Sequence, residues 1–435
     1  MNTTAVPTPC DTVEALLRPG YVHDEAINFI EFCVELDCQD DRASHPTNVH
    51  LQAQIDGLRW DPVPVFDSRK AIAADYIAFK QMGRTGSGAA GNKADDDLPY
   101  WRKLFENLEA QARKKGIAVL TQQSIEVNPD LNGFGPWQNA WLLYRGRGSN
   151  AGAYAIAIRG TVFSNAPSAL EDALFRPAMA RLFRSHAVSF SDSDIATLHS
   201  GFANATFTTL LDRRYGILAV LRALAVPNQA TLYVVGHSQG AAMATLVHAF
   251  FHLAMRDAQA TGKDPLGLKE KAFPIKSYAF AQPKPGNYAF CMSFARITQS
   301  LGNAIVINND LDPVPKVPFT LESTEDLAMD FHGRYLLSRF LHRVSDFGAW
   351  FRGAIPAIAR MIVRNRVQGY GNVYQIESLR PLRKAKFGLS WEFAPAGRVI
   401  VVFGVPRQSQ RDDIFFQHHA TTYRNLIRAQ LGNFR

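Results

Sequence analysis

The chain has 435 residues, 47% of them hydrophobic and 20% charged, an ordinary globular composition with room for one large domain plus extensions. Its net charge of +8 is spread along the sequence and so selects neither nucleic acid nor an anionic membrane by itself. The absence of an 18-residue apolar run argues against a membrane span, and four scattered cysteines (Cys10, Cys33, Cys38, Cys291) form neither a metal pattern nor a dense disulfide framework.

The amino-terminal stretch Met1 to Cys10 has no basic region followed by an apolar one, so no Sec-type leader is expected. Residues 1–115 read as a mainly helical extension. Ala26 to Leu36 and Ala71 to Met82 carry apolar residues at helical spacing, and Tyr100 to Lys115 reads as an amphipathic helix. Between them, Gly86-Ser-Gly88-Ala-Ala-Gly91 spells G-x-G-x-x-G, but a helical stretch precedes it and an acidic run follows. A surface loop is the better reading than a dinucleotide site. From residue 116 the pattern turns β-rich, with strands expected at 140–144, 154–158, 231–235, 276–280, 304–308 and 399–403 and helices at 203–224 and 240–259. Strands alternating with helices predict an α/β fold with a mostly parallel central sheet flanked by helices, occupying 116–435.

Two segments read as additions to that core. One is 162–197. The other is 321–390, in which Leu337, Leu341, Val344, Phe351, Ile355, Ile358 and Ile362 recur at helical steps among arginines. The stretch 331–366 thus reads as a basic amphipathic helix, suited either to an anionic lipid surface or to covering the core.

The chemistry concentrates at Gly236-His-Ser238-Gln-Gly240. An apolar strand precedes it and a helix-forming run follows, which is the context a G-x-S-x-G nucleophile elbow requires. A serine on so tight a turn has its oxygen exposed, and the glycines on either side leave room for the turn to close. Such a serine needs a base, and the base needs an orienting carboxylate. Asp310 and Asp312 both follow the strand at 304–308, and His418 and His419 both follow the last strand, so each pair offers alternatives. The backbone N–H of Gln239 and that of Thr161, on the turn after strand 154–158, are the expected oxyanion donors. His237 reads as structural, and His248 and His252, four apart without the glutamate of H-E-x-x-H, as a packed or surface pair rather than a metal site.

These motifs together resemble the class 3 lipases, whose members include fungal triacylglycerol lipases. Ala155 to Thr161 is similar to the family's apolar strand ending in Arg-Gly-Ser/Thr, and His199-Ser-Gly201-Phe202 to its His-x-Gly-Phe. Tyr278 to Asn287 resembles its Phe-Gly-x-Pro-Arg-Val-Gly-Asn, and Asp312 to Pro318 its Asp-x-Val-Pro-x-Leu-Pro. The resemblance implies an α/β-hydrolase fold with Ser238 as nucleophile and Asp312 as the acid. It favours His418 as base, because many relatives carry a tyrosine five residues later, as Tyr423 stands here; His419 is the alternative. It also gives Pro167 to Arg184, within 162–197, the role of a helical lid. Gln239 and Ala241 depart from the family's Leu and Gly. The implied activity is cleavage of lipid carboxylic esters, triacylglycerol or phospholipid, through an acyl-enzyme and without metal or cofactor. A lipid acyltransferase with the same triad and a non-catalytic lipid- or partner-binding protein are the alternatives. No nucleic acid partner is expected, peripheral membrane contact is one of the two readings of 331–366, and the location is expected to be cytoplasmic or reached by export without a Sec signal. The sequence leaves the oligomeric state open.

Overall fold

A computed structural model describes residues 17–37, 60–63, 116–127, 139–161, 177–180, 188–211, 216–298, 302–318, 393–405 and 415–432, with isolated positions between 73 and 113. The insertion 321–390, its stretch 331–366, the glycine-rich loop 84–91 and most of the lid candidate 162–197 lie outside these residues.

The chain enters through α1 (His23–Asp37) and a short strand β1 (Trp60–Pro62). After α2 (Gln122–Val127) come β2 (Trp141–Gly146) and β3 (Ala153–Ile158). Next are β4 (Pro177–Met179), β5 (Thr197–His199), α3 (Ser200–Leu211) and α4 (Ile217–Ala223). The centre of the fold is β6 (Thr231–His237), α5 (Gln239–Thr261) and β7 (Ile275–Phe280). They are followed by β8 (Gly286–Asn287), α6 (Tyr288–Thr298) and β9 (Ala304–Asn309). The last elements are β10 (Phe393–Ala394), β11 (Arg398–Val402) and α7 (Ala420–Gln430).

Seven strands form the main sheet in the order β1-β2-β3-β6-β7-β9-β11. The β3-β6-β7-β9-β11 run is parallel, and β1 and β2 extend it antiparallel. A parallel sheet needs cover on both faces, and the period-2 alternation supplies it. Ile156, Ile158, Leu232 and Val234 point into a core shared with α3, α4 and α5. Ala155, Ala157, Tyr233 and Val235 point the other way, toward α1 and α7. This is the α/β-hydrolase arrangement. A second, antiparallel sheet runs β10-β8-β5-β4.

Two local expectations change. The helical span expected at 203–224 is two helices, α3 and α4, with Gly216 capping the second. Within the segment expected to form a helical lid, 177–179 is a strand that pairs antiparallel with β5.

The amino-terminal region contributes to this sheet directly. β1 pairs with β2 at the sheet's edge. Proline has no N–H for a ladder and is tolerated at edges, which is where Pro62 sits. From α1, Glu25 enters the layer against the sheet. It accepts bonds from Tyr233 Oη at 3.1 Å, Lys276 Nζ at 2.6 Å and Tyr278 Oη at 2.8 Å. Burial pushes the Lys276 ammonium below the usual lysine range, and the Glu25 charge partly offsets that. Around this cluster Phe29, Phe32, Trp60, Tyr233 and Tyr278 pack ring to ring. No helix among the described residues is long and apolar enough to cross a membrane.

Candidate active site

β6 is buried along its whole length and delivers Ser238 at its carboxyl end. Ser238 has φ +56 and ψ −130, a left-handed backbone that costs a residue with a Cβ about 1–3 kcal/mol. The surroundings hold it there. Its N–H donates to Phe280 O on β7 at 3.0 Å, and its carbonyl accepts the first turn of α5 from Ala241 N at 2.9 Å. A Cβ on Gly236 would fall 2.2 Å from Gly240 O, and one on Gly240 would fall 2.2 Å from Ile158 O. Both glycines are therefore required by contact as well as by turn geometry. The Gly240 approach also reaches Arg159 O at 2.8 Å, so the turn Arg159-Gly160-Thr161 runs beside the elbow. Gln239 is buried as the first residue of α5, where the helix macrodipole adds positive potential.

β9 ends at Asn309, and a turn closed by Asp312 N to Asn309 O at 3.1 Å places the Asp312 carboxylate in the interior with no exposed surface. Its Oδ1 accepts Val314 N at 2.9 Å. Its Oδ2 meets His418 Nδ1 at 2.8 Å and accepts the Tyr423 hydroxyl at 2.8 Å. Asp310, two residues earlier, faces elsewhere: it accepts the N–H of Gly404 at 2.7 Å, pinning the segment after β11.

His418 sits on a single 3₁₀ turn, Phe416–His418, just before α7. Its Nε2 lies 2.8 Å from Ser238 Oγ. An ionised carboxylate only accepts, so the Asp312 contact assigns the proton to Nδ1. That leaves the Nε2 lone pair to receive the Ser238 O–H. Both ends of the imidazole are thus matched to their partners. His237 packs its ring 4.7 Å from that of His418 and 5.7 Å from that of Tyr423. His419, the alternative at the sequence level, caps α7 with its side chain exposed to solvent.

Several residues support the site beyond the roles read from sequence, where Tyr423 served only as a spacing marker for His418. Tyr423 donates to Asp312 and accepts Asn309 N at 2.9 Å. Burial pushes its hydroxyl well above the usual tyrosine range, with the Asp312 charge reinforcing the shift, so it stays a donor. Asn309 Nδ2 donates to Gln417 O at 3.0 Å and Gln417 Oε1 at 2.8 Å, tying the acid strand to the histidine turn. Gln282 bridges α5 and the stretch before β11 through Thr245 Oγ1 at 2.7 Å and Ala396 O at 3.0 Å. The sequence signals were the spacing of Tyr423 from His418, the place of Gln282 in the motif Tyr278 to Asn287, and for Asn309 and Gln417 only their position beside candidate residues.

Of the other histidine pair, His248 is accounted for by packing. His248 Nδ1 lies 2.8 Å from Ser277 Oγ, and its ring meets Phe294 edge-on at 5.3 Å. Burial lowers its pKa to about 3. Among the described residues no group of three or more His, Cys, Asp or Glu is arranged to hold a metal ion.

Residues 155–322 match the family model described as Lipase (class 3). This segment is similar to the class 3 lipases. No curated protein matches the chain. Among solved structures, a fungal lipase shares 24% identity over 44% of this chain and 55% of its own, with a TM-score of 0.29. The M37 lipase shares 18% identity over 82% and 92%, with a TM-score of 0.40. The Rhizomucor miehei lipase in its propeptide complex shares 20% over 53% and 65%, with a TM-score of 0.29. The chain thus spans about half to two thirds of the length of the two fungal lipases. The matched segment holds Ser238 and Asp312; His418 and Tyr423 lie beyond it.

Proposed function

We propose that the protein is a serine hydrolase of lipid carboxylic esters, working through an acyl-enzyme, with Ser238 as nucleophile, His418 as general base and acid, and Asp312 as orienter. The observation that supports this reading is the continuous relay Asp312–His418–Ser238, with two 2.8 Å contacts and all three side chains buried. Ser238 Oγ attacks the ester carbonyl carbon while its proton passes to His418 Nε2. The carbonyl oxygen becomes an oxyanion, for which the backbone N–H groups of Gln239 and Thr161 are the donors; one such donor typically contributes about 3 kcal/mol. Collapse breaks the carbon–oxygen bond of the ester, and the leaving alcohol takes the proton from His418. Water then attacks the acyl-enzyme, gives its proton to His418, and the fatty acid leaves as Ser238 recovers its hydrogen. The Asp312 carboxylate stabilises the imidazolium formed in each half-reaction.

The test uses the full chain, a p-nitrophenyl acyl ester and a fluorophosphonate probe. Ser238→Ala and His418→Ala are each expected to lower kcat by about five to six orders of magnitude, while His419→Ala retains turnover. Wild-type turnover in Ser238→Ala, or fluorophosphonate labelling at another residue, rules the assignment out. A panel of triacylglycerol and phospholipid substrates then separates the two lipid classes.

A further inference from the structure

The histidine turn and α7 are held by an element that lies far outside the lipase-matched segment. Three consecutive residues at the start of α7 each make a different tie. Thr422 Oγ1 donates to Phe416 O at 2.7 Å, closing α7 onto the His418 turn. Tyr423 reaches Asp312. Arg424 Nη1 reaches Glu31 Oε2 at 3.4 Å, and one turn later Arg428 Nη2 reaches Glu31 Oε1 at 2.7 Å. Glu31 belongs to α1, and its side chain is 2% exposed.

α1 is itself fixed to the sheet at two other points. Near its start Glu25 is bound by Tyr233, Lys276 and Tyr278, and near its end Glu35 accepts from Tyr144 on β2. Its apolar residues Phe29, Ile30, Phe32 and Val34 share one core with Tyr423, Leu426 and Ile427 of α7. The helix is therefore anchored to β2, β6 and β7 and offers a buried charge to the helix that follows the imidazole.

We propose that α1 is a positioning element of the hydrolase site, with Glu31, through Arg424 and Arg428, fixing the distance of His418 from Ser238. This rests on the proposed catalytic roles of Ser238 and His418, which supply its activity readout. A buried carboxylate gripping two arginines on one helix face restrains both rotation and sliding of that helix. Small displacements of a base carry large penalties, because a shift of about 1 Å at a reacting group costs on the order of a hundredfold in rate. It follows that the amino-terminal region, though outside the matched family segment, is needed for turnover and not only for stability.

The experiment compares the wild-type full chain with Glu31→Gln, which keeps shape and removes the charge, and with Arg256→Gln. The latter removes a half-exposed surface pair with Asp192 and serves as the control for loss of an ion pair. Melting and near-ultraviolet circular dichroism establish that each variant is folded at the assay temperature. In Glu31→Gln, kcat toward the p-nitrophenyl ester is expected to fall about tenfold to a hundredfold with KM changed less than about twofold. The far-downfield proton of the His418–Asp312 hydrogen bond, assigned by its loss in His418→Ala, is expected to broaden or vanish in Glu31→Gln and to persist in Arg256→Gln. A folded Glu31→Gln with that proton intact overturns the inference, whatever its rate, as does a kcat equal to wild type. Should Glu31→Gln not fold, Arg428→Gln carries the same test at a half-exposed position. Failure of the proposed function reads out separately, as a wild type that neither turns over ester nor is labelled at Ser238, and the proton signal still decides the role of Glu31.

Discussion

Replacing Tyr423 by phenylalanine removes one oxygen from a buried ring and isolates a single junction. The ring keeps its edge-on contact with His237 and its place in the core beside α1. Two bonds disappear: the one donated to Asp312 Oδ2 at 2.8 Å and the one accepted from Asn309 N at 2.9 Å. A bond to a charged group is worth about 1.5–3 kcal/mol, and a buried amide left without an acceptor costs about 1–3 kcal/mol. The two share one hydroxyl and do not simply add, so the expected loss of stability is about 2–4 kcal/mol. At roughly 2 cal/mol/K of unfolding entropy per residue, a chain of this length shifts by about 1 °C per kcal/mol, so Tm should fall by about 2–4 °C. Asp312 retains Val314 N and His418 Nδ1. The effect on the chemical step is therefore partial, about 1–2 kcal/mol, or about fivefold to thirtyfold in kcat with little change in KM. Urea titration gives the stability and p-nitrophenyl ester kinetics give the rate. A Tyr423→Phe protein indistinguishable from wild type in both would refute the bridging role of the hydroxyl.

Gly240→Ala forces a Cβ to 2.2 Å from Ile158 O, so α5 or the end of β3 must move; a loss of about 1–3 kcal/mol and a steep fall in the rate of fluorophosphonate labelling are expected. Normal labelling would show that the elbow tolerates the side chain. Lys276→Met leaves the buried Glu25 carboxylate without its ammonium partner, which should cost about 3–5 kcal/mol in urea unfolding. The double change Glu25→Gln with Lys276→Met should recover much of that, and a single-variant loss below about 1 kcal/mol counts against the pair. His248, held neutral by burial with its pKa lowered to about 3, makes stability fall as pH drops. Below the unfolded value of about 6.5 the unfolded chain binds a proton that the folded one does not, so the slope is about 1.4 kcal/mol per pH unit from about 6.5 down to about 3. Between pH 7 and 5, wild type should lose about 2 kcal/mol more than His248→Asn, and equal losses would show that the imidazole is not kept neutral.

What the sequence disclosed is local in its physics. The elbow at Ser238 was legible because steric limits act within five residues: glycines where a Cβ would strike backbone, an apolar strand before, a helix after. The parallel core was legible for a similar reason, since strands buried on both faces must read as apolar runs. The edge strand at Trp60–Pro62 was not, because three residues ending in proline carry no pattern and gain their structure only by pairing with residues some 80 positions away. Nor could α1 disclose what Glu25, Glu31 and Glu35 hold, since their partners lie on β2, β6, β7 and α7. Asp310 and Asp312 leave the same strand, and His418 and His419 are neighbours, so composition and spacing treat each pair alike. Only the packed chain separates them. One aspartate turns outward to Gly404 and the other inward to His418, and one histidine faces Ser238 while the next faces water. Side-chain direction at the end of a strand or the start of a helix is set by what packs behind it, and here that is α7 seated on α1.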